Sequence, residues 1–132
     1  RWAGNVLSYK EVQYQNLYNG IDMLMYSTGN YIKYDFNVAP AAAVEQIVMQ
    51  YNGVDKLALK EGNLHIHNSV NNLMELAPYA YQYINQQETA VACQFKVNKK
   101  NNSVSFVFPE GYDKSKELII DPVLVFSTIR VR

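Results

Sequence analysis

The chain has 132 residues, with twelve basic and twelve acidic side chains, eleven tyrosines and one cysteine. That length suits a single domain, residues 1–132, whose core can stand without disulfides or metal, and the zero formal charge gives no field to draw it to nucleic acid or an anionic membrane. No apolar run approaches the roughly 20 residues that span a bilayer, so no direct membrane insertion is expected, and the abundance of Tyr, Val, Ile and Asn favours short strands over helices.

Residues 1–8 carry no usable period and read as a linker, with Trp2 anchoring the start of the fold or touching a neighbouring domain. The chain starts at Arg1 without Met, and this suggests a fragment of a larger protein. Tyr9, Glu11 and Gln13 alternate with Lys10, Val12 and Tyr14, which predicts a short strand, and residues 16–20 supply a turn.

The clearest signal lies in residues 19–38. Ile32, Tyr34, Phe36 and Val38 alternate with Tyr31, Lys33, Asp35 and Asn37, the period of a half-buried strand, and Ile21, Met23 and Met25 form a matching apolar set before it. Ser27, Thr28, Gly29 and Asn30 between the two sets are turn residues. A loop of even length puts both apolar sets on one face and leaves Asp22, Lys33 and Asp35 on the other, whereas an odd loop mixes the faces. The sequence therefore predicts a hairpin closed by Gly29-Asn30 or by residues 27–30.

Pro40 followed by Ala41, Ala42, Ala43, Val44 and Glu45 is the one helical signal, enough for a turn or two near 41–46 with Pro in the first turn. A strand over 47–51 ends at Asn52-Gly53. A hairpin pairs 57–60 with 64–68 across Glu61-Gly62-Asn63, and a short strand over 73–76 follows Asn71-Asn72. Beyond Pro78, residues 79–84 form a strand with Tyr79, Tyr81 and Tyr83 on one face, turned by residues 85–87. A third hairpin joins 89–97 to 103–108 through the polar turn 98–102, and residues 109–116 form a loop. The apolar run 118–126 is interrupted at Asp121-Pro122, where Pro lacks a ladder donor and splits it into two strands. Turn signals about every ten residues predict an all-β fold, a β-sandwich or curved antiparallel meander of about nine to twelve short strands.

Few residues suggest chemistry. Cys93 shares an alternating face with Val91, Phe95 and Val97 and reads as a small buried core residue with an inert thiol. His65 and His67 lie on one strand face, but a zinc site needs further ligands, and with Glu61 and Glu75 the nearest acids in sequence no spaced metal motif exists. Asp22, Asp35 and Asp121 sit in apolar surroundings and read as hydrogen-bond acceptors at strand ends rather than as an acid-base pair. No nucleophile elbow or phosphate loop is present, so no catalytic residue, metal or cofactor is expected. Tyr79, Tyr81 and Tyr83 are the candidate ligand-binding residues, since an aromatic row on a sheet offers a platform for sugar rings; the same stripe reads more readily as sheet packing or a contact between domains.

Four segments together carry a resemblance over residues 9–128: Tyr-Asn-Gly-Ile-Asp at 18–22, Tyr-Asp-Phe-Asn-Val-Ala-Pro at 34–40, Leu-Ala-Pro-Tyr-Ala-Tyr-Gln at 76–82, and Ile-Ile-Asp-Pro-Val-Leu-Val-Phe-Ser-Thr at 119–128. In this order the chain resembles the domain of unknown function that precedes SBBP-type β-propeller repeats in secreted or surface proteins of gliding Gram-negative bacteria and their relatives. Two positions depart from that pattern: Ala41 stands where the family favours Gly, and Ser127-Thr128 runs into Ile129 rather than an aromatic and a Gly-Gly pair. The resemblance implies export, an extracellular or cell-surface location and no established catalytic residues. The expectation is a non-catalytic structural or adhesion-type module, or alternatively a carbohydrate-binding module using exposed tyrosines. Its partners would be neighbouring domains of the same chain, a glycan or a surface protein.

Overall fold

A computed structural model describes residues 9–28, 31–69 and 72–126. The readings of residues 1–8, of the loop residues Gly29 and Asn30, of Asn71 and of residues 127–132 lie outside the described residues. The described chain is all-β and antiparallel: β1 (Tyr9–Tyr18), β2 (Ile21–Thr28), β3 (Tyr31–Val38), β4 (Met49–Gln50), β5 (Lys56–Lys60), β6 (Asn63–His67), β7 (Asn72–Glu75), β8 (Tyr79–Ile84), β9 (Gln87–Val91), β10 (Gln94–Asn98), β11 (Ser103–Val107), β12 (Leu118–Asp121) and β13 (Val123–Phe126). Ten strands make one sheet, ordered β5-β6-β7-β13-β3-β12-β8-β9 with β1 and β2 continuing from β3, and β10-β11-β4 make a second.

The β2–β3 hairpin has the even register that alternation demands. Ile21 pairs with Val38, Met23 with Phe36, Met25 with Tyr34 and Thr28 with Tyr31. Tyr34, Phe36 and Val38 are buried, and Met23 and Met25 pack against the same core. The second sheet covers this face: the Phe36 ring meets Phe106 edge-on at 5.9 Å and Tyr34 at 5.6 Å. Among the described residues, fifteen buried hydrophobic side chains form one cluster there, which supplies the apolar burial that an all-β domain without a disulfide depends on.

Three boundaries differ from expectation. β1 runs on to Tyr18, with a bulge between Tyr14 and Tyr18, so the turn shrinks to Asn19-Gly20. The expected strand 47–51 is hydrogen-bonded as a strand only at Met49–Gln50, although Ile47, Met49 and Tyr51 do face the core together. The run 89–97 is two strands: β9 pairs β8 in the large sheet, while β10 pairs β11 in the small one. Alternation survives the crossing at Ala92-Cys93, because Val91, Cys93, Phe95 and Val97 all pack on the core. Alternation alone carried no sign of the switch between sheets.

Pro122 is a strand boundary, but an internal one. β12 and β13 both pair β3 in one continuing register, Leu118 opposite Val38 and Val123 opposite Lys33. On the far edge β12 pairs β8 whereas β13 pairs β7, so the sheet forks at the residue that cannot donate to a ladder.

The helical signal shrinks to a 3₁₀ turn at Val44–Gln46. Pro40 is not in a helix: the Ala42 amide donates to the Ala39 carbonyl at 3.0 Å and Ala41 has φ +68, the pattern of a type II turn with Pro at its second position. The third position of that turn favours Gly, which is the residue the resembled pattern has where this chain has Ala41. Gly20 packs into the same corner at φ +80; its carbonyl accepts from the Ala39 amide at 2.9 Å, and a Cβ there would lie 2.8 Å from the Ala42 Cβ.

Two substitutions in this corner should act in opposite directions. Ala41→Gly should raise unfolding free energy by about 1 kcal/mol by removing left-handed strain. Gly20→Ala should lower it by about 2 kcal/mol or more, and adding Ala42→Gly should restore only the steric part. Urea titration of the four proteins checks both signs.

Candidate functional site

The strict alternation of β3 sends Lys33 and Asp35 to the outer face of the large sheet and Tyr34 to the inner one. Each face carries a cluster of polar and aromatic side chains.

On the outer face, Lys33 is the hub. Its Nζ lies 3.3 Å from Asp35 Oδ1 and in direct ion-pair contact with Asp121 Oδ1, and the Tyr26 hydroxyl donates to Asp35 Oδ2 at 3.4 Å. The two aspartates come from opposite ends of the chain and meet because β12 lies beside β3. Burial raises the Asp35 carboxyl to about 6, and its hydrogen bond to and repulsion from Asp121 add to the rise while Lys33 opposes it. Burial also works against the Lys33 ammonium, but the hydrogen bond and charge of Asp121 and the charge of Asp35 outweigh it and its pKa is raised. The trio is therefore an acid-lysine cluster in which one ammonium contacts both carboxyl groups. Glycoside hydrolysis needs its two carboxyls about 5 Å or more apart with substrate between them. Asp22, opposite Asn37, sits further along the ladder from this trio, so the three aspartates are not gathered into one site.

Beside the trio stands the tyrosine stripe. Tyr79, Tyr81 and Tyr83 do share one face of β8, with Tyr79 directly opposite Asp121. Tyr79 and Tyr81 stack at 5.3 Å between ring centroids with 30° between planes, and Tyr83 meets Tyr81 edge-on at 5.8 Å. Tyr79 is 43% and Tyr83 53% exposed, with Tyr81 half-buried between them. The Tyr79 hydroxyl donates to Glu88 Oε2 at 2.6 Å, which holds the outer ring in place. The result is a two-ring platform with a third ring as its wall, bordered by carboxylates on both sides: aromatic faces for apolar CH groups beside acceptors for hydroxyls.

The inner face holds a cluster that sequence reasoning missed. Glu75 is only 2% exposed, yet its carboxylate accepts from the Tyr34 hydroxyl at 2.6 Å on one oxygen and from the Tyr51 hydroxyl on the other. Burial raises the Glu75 pKa and the two hydroxyls pull it back down; burial and the nearby carboxylate push both tyrosines up. Glu75 lines a cleft of about 380 Å³ between the hairpin and β4. In sequence Glu75 is one acid in a short strand, and nothing nearby marks it as inward-facing.

The remaining candidates stay apart. His65 and His67 stack at 6.4 Å, and His67 Nδ1 lies 2.8 Å from Asn72 Oδ1. Glu75 pairs with Leu64 and so faces the core, away from the histidine side of β6. Among the described residues no three of His, Cys, Asp or Glu are grouped to hold a metal. Cys93 is half-buried rather than fully buried, and burial pushes its thiol up to about 12, where it is not a nucleophile at neutral pH.

Compared with known families, the chain matches the one described as Domain of unknown function (DUF7948), over residues 1–123. No curated protein and no solved structure matches it.

The raised Asp35 carboxyl has a defined sign. The folded state holds that proton more tightly than the unfolded chain, so the stability it contributes is complete below about pH 4 and is lost as pH rises toward 6. Asp35→Asn should remove this loss, so that between pH 4 and 7 the variant gains on wild type by on the order of 1 kcal/mol after solvent screening. Urea midpoints across that range check it; parallel pH curves for the two proteins would contradict it.

Proposed function

Since the chain belongs to the DUF7948 family of domains of unknown function, its own geometry has to carry the functional reading, and we propose that it is a non-catalytic adhesion-type module of an exported cell-surface protein. The observation that supports this most is the outer face of the large sheet. It presents an ordered tyrosine platform, and Asp35 and Asp121 beside it share the Lys33 ammonium, which leaves them acceptor positions for hydrogen bonds rather than the separation that acid-base hydrolysis needs. A surface of this kind holds a partner without converting it.

Export and surface residence rest on the resemblance of the four ordered segments to domains that precede SBBP-type propeller repeats. In the reading proposed here the flanking domains of the same chain are structural partners, and the outer face meets a glycan or another surface protein. Obtaining the full-length coding sequence tests the context: a signal peptide upstream and propeller repeats downstream are expected.

One feature favours carbohydrate as the partner. Stacked Tyr79 and Tyr81 offer a flat apolar area, while Asp35, Asp121 and Glu88 border it with hydrogen-bond acceptors, the combination that a sugar ring with an apolar face and an equatorial hydroxyl rim requires. On a glycan array the domain should bind a restricted set of glycans, and Tyr81→Ala should abolish that binding with the far-ultraviolet dichroism unchanged. Array binding that survives Tyr81→Ala would move the glycan off this face.

A further inference from the structure

The cleft above Glu75 has the makings of a second binding site. Its walls come from both layers: Met23 and Met25 from β2, Tyr18 from β1, and Met49 and Tyr51 from the β4 segment, with Glu75 as its acid. Leu17 and Val48, 42% and 48% exposed, stand at the margin. Its volume of about 380 Å³ falls in the range of small-molecule pockets.

Burial disfavours the Glu75 carboxylate, and the interactions that offset this are the neutral hydroxyls of Tyr34 and Tyr51; among the residues whose side chains are described, no lysine, arginine or histidine acts on it. Two hydroxyl donors occupy one site on each oxygen, while an ionised carboxylate accepts about four hydrogen bonds, so acceptor capacity remains. Buried carboxylates are ordinarily matched by a cation. Tyr18, Tyr34 and Tyr51 line the same space, and an aromatic lining favours a positive charge. Three thioether side chains give the walls a soft, adaptable surface for an apolar body.

From this we propose that the cleft binds a primary ammonium ion carrying a compact apolar group, its N–H donors on Glu75 and its apolar body against Met23, Met25 and Met49. This site lies on the opposite face of the sheet from the tyrosine platform and does not depend on the reading of that platform.

The probes are phenethylammonium and its neutral counterpart 2-phenylethanol, titrated into the whole chain and followed by methionine-methyl NMR. The ammonium should shift the Met23, Met25 and Met49 methyls and bind about tenfold or more tightly than the alcohol, the discrimination a charged hydrogen bond supplies. Glu75→Gln should erase that preference while leaving weak apolar binding. Because this substitution touches the core, Val48→Trp at the exposed margin serves as a second variant, and it should block both probes in a folded protein. Equal affinity for amine and alcohol, unaltered preference in folded Glu75→Gln, methyl shifts elsewhere, or no binding of either probe would each overturn the proposal.

Discussion

β3 is hydrogen-bonded along both edges, to β2 on one side and to β12 and β13 on the other, so each of its side chains has only two directions available. That constraint organises the domain. Tyr34, Phe36 and Val38 must enter the core, and Lys33 and Asp35 must leave it. A shift of one residue would bury a lysine and an aspartate and expose two aromatics, a loss far larger than the few kcal/mol by which domains are stable. The register is therefore held by both faces at once, and the outer acid cluster and the inner Tyr34–Glu75 bond are fixed by the same ladder.

The two faces handle charge differently. Outside, Asp35 and Asp121 repel each other, and Lys33 offsets the repulsion with part of the cluster still wet. Inside, the donors to Glu75 among the described side chains are the hydroxyls of Tyr34 and Tyr51, in a place where burial raises the cost of its charge. The first arrangement is self-contained, while the second leaves a carboxyl group with no charged partner among the side chains described. The difference is why the outer acids are read as a frame for the tyrosines, whereas the inner acid is proposed as a binding site.

Much of the fold was legible because it depends on period and turn chemistry. The even hairpin register, the common face of Tyr79, Tyr81 and Tyr83 and the break at Pro122 each follow from a few adjacent residues. What escaped depends on neighbours distant in sequence. Glu75 is inward-facing because β7 pairs both β6 and β13, and its partners Tyr34 and Tyr51 lie in other strands and loops. Asp35 and Asp121 meet across most of the chain, and the passage from β9 to β10 changes sheets without disturbing alternation. Pro40 misled for a local reason: a proline before small residues suits a helix start and a type II turn equally, and only the left-handed Ala41 separates them.

The fork at Pro122 also bears on how the domain comes together in time. β12 and β13 are the last strands in the described chain, yet they occupy the middle of the large sheet, between β3 near its beginning and β7 and β8. Pairings between such distant segments give a high contact order, and folds of this type form slowly. As the chain emerges from its amino terminus, the β2–β3 hairpin can close at once, but the other edge of β3 stays unsatisfied until residues 118–126 arrive. An open, aromatic strand edge is a template for pairing with other chains. The assembly of the sheet is thus decided at its final step, when a single stretch bent around one proline fills the seam and joins both arms.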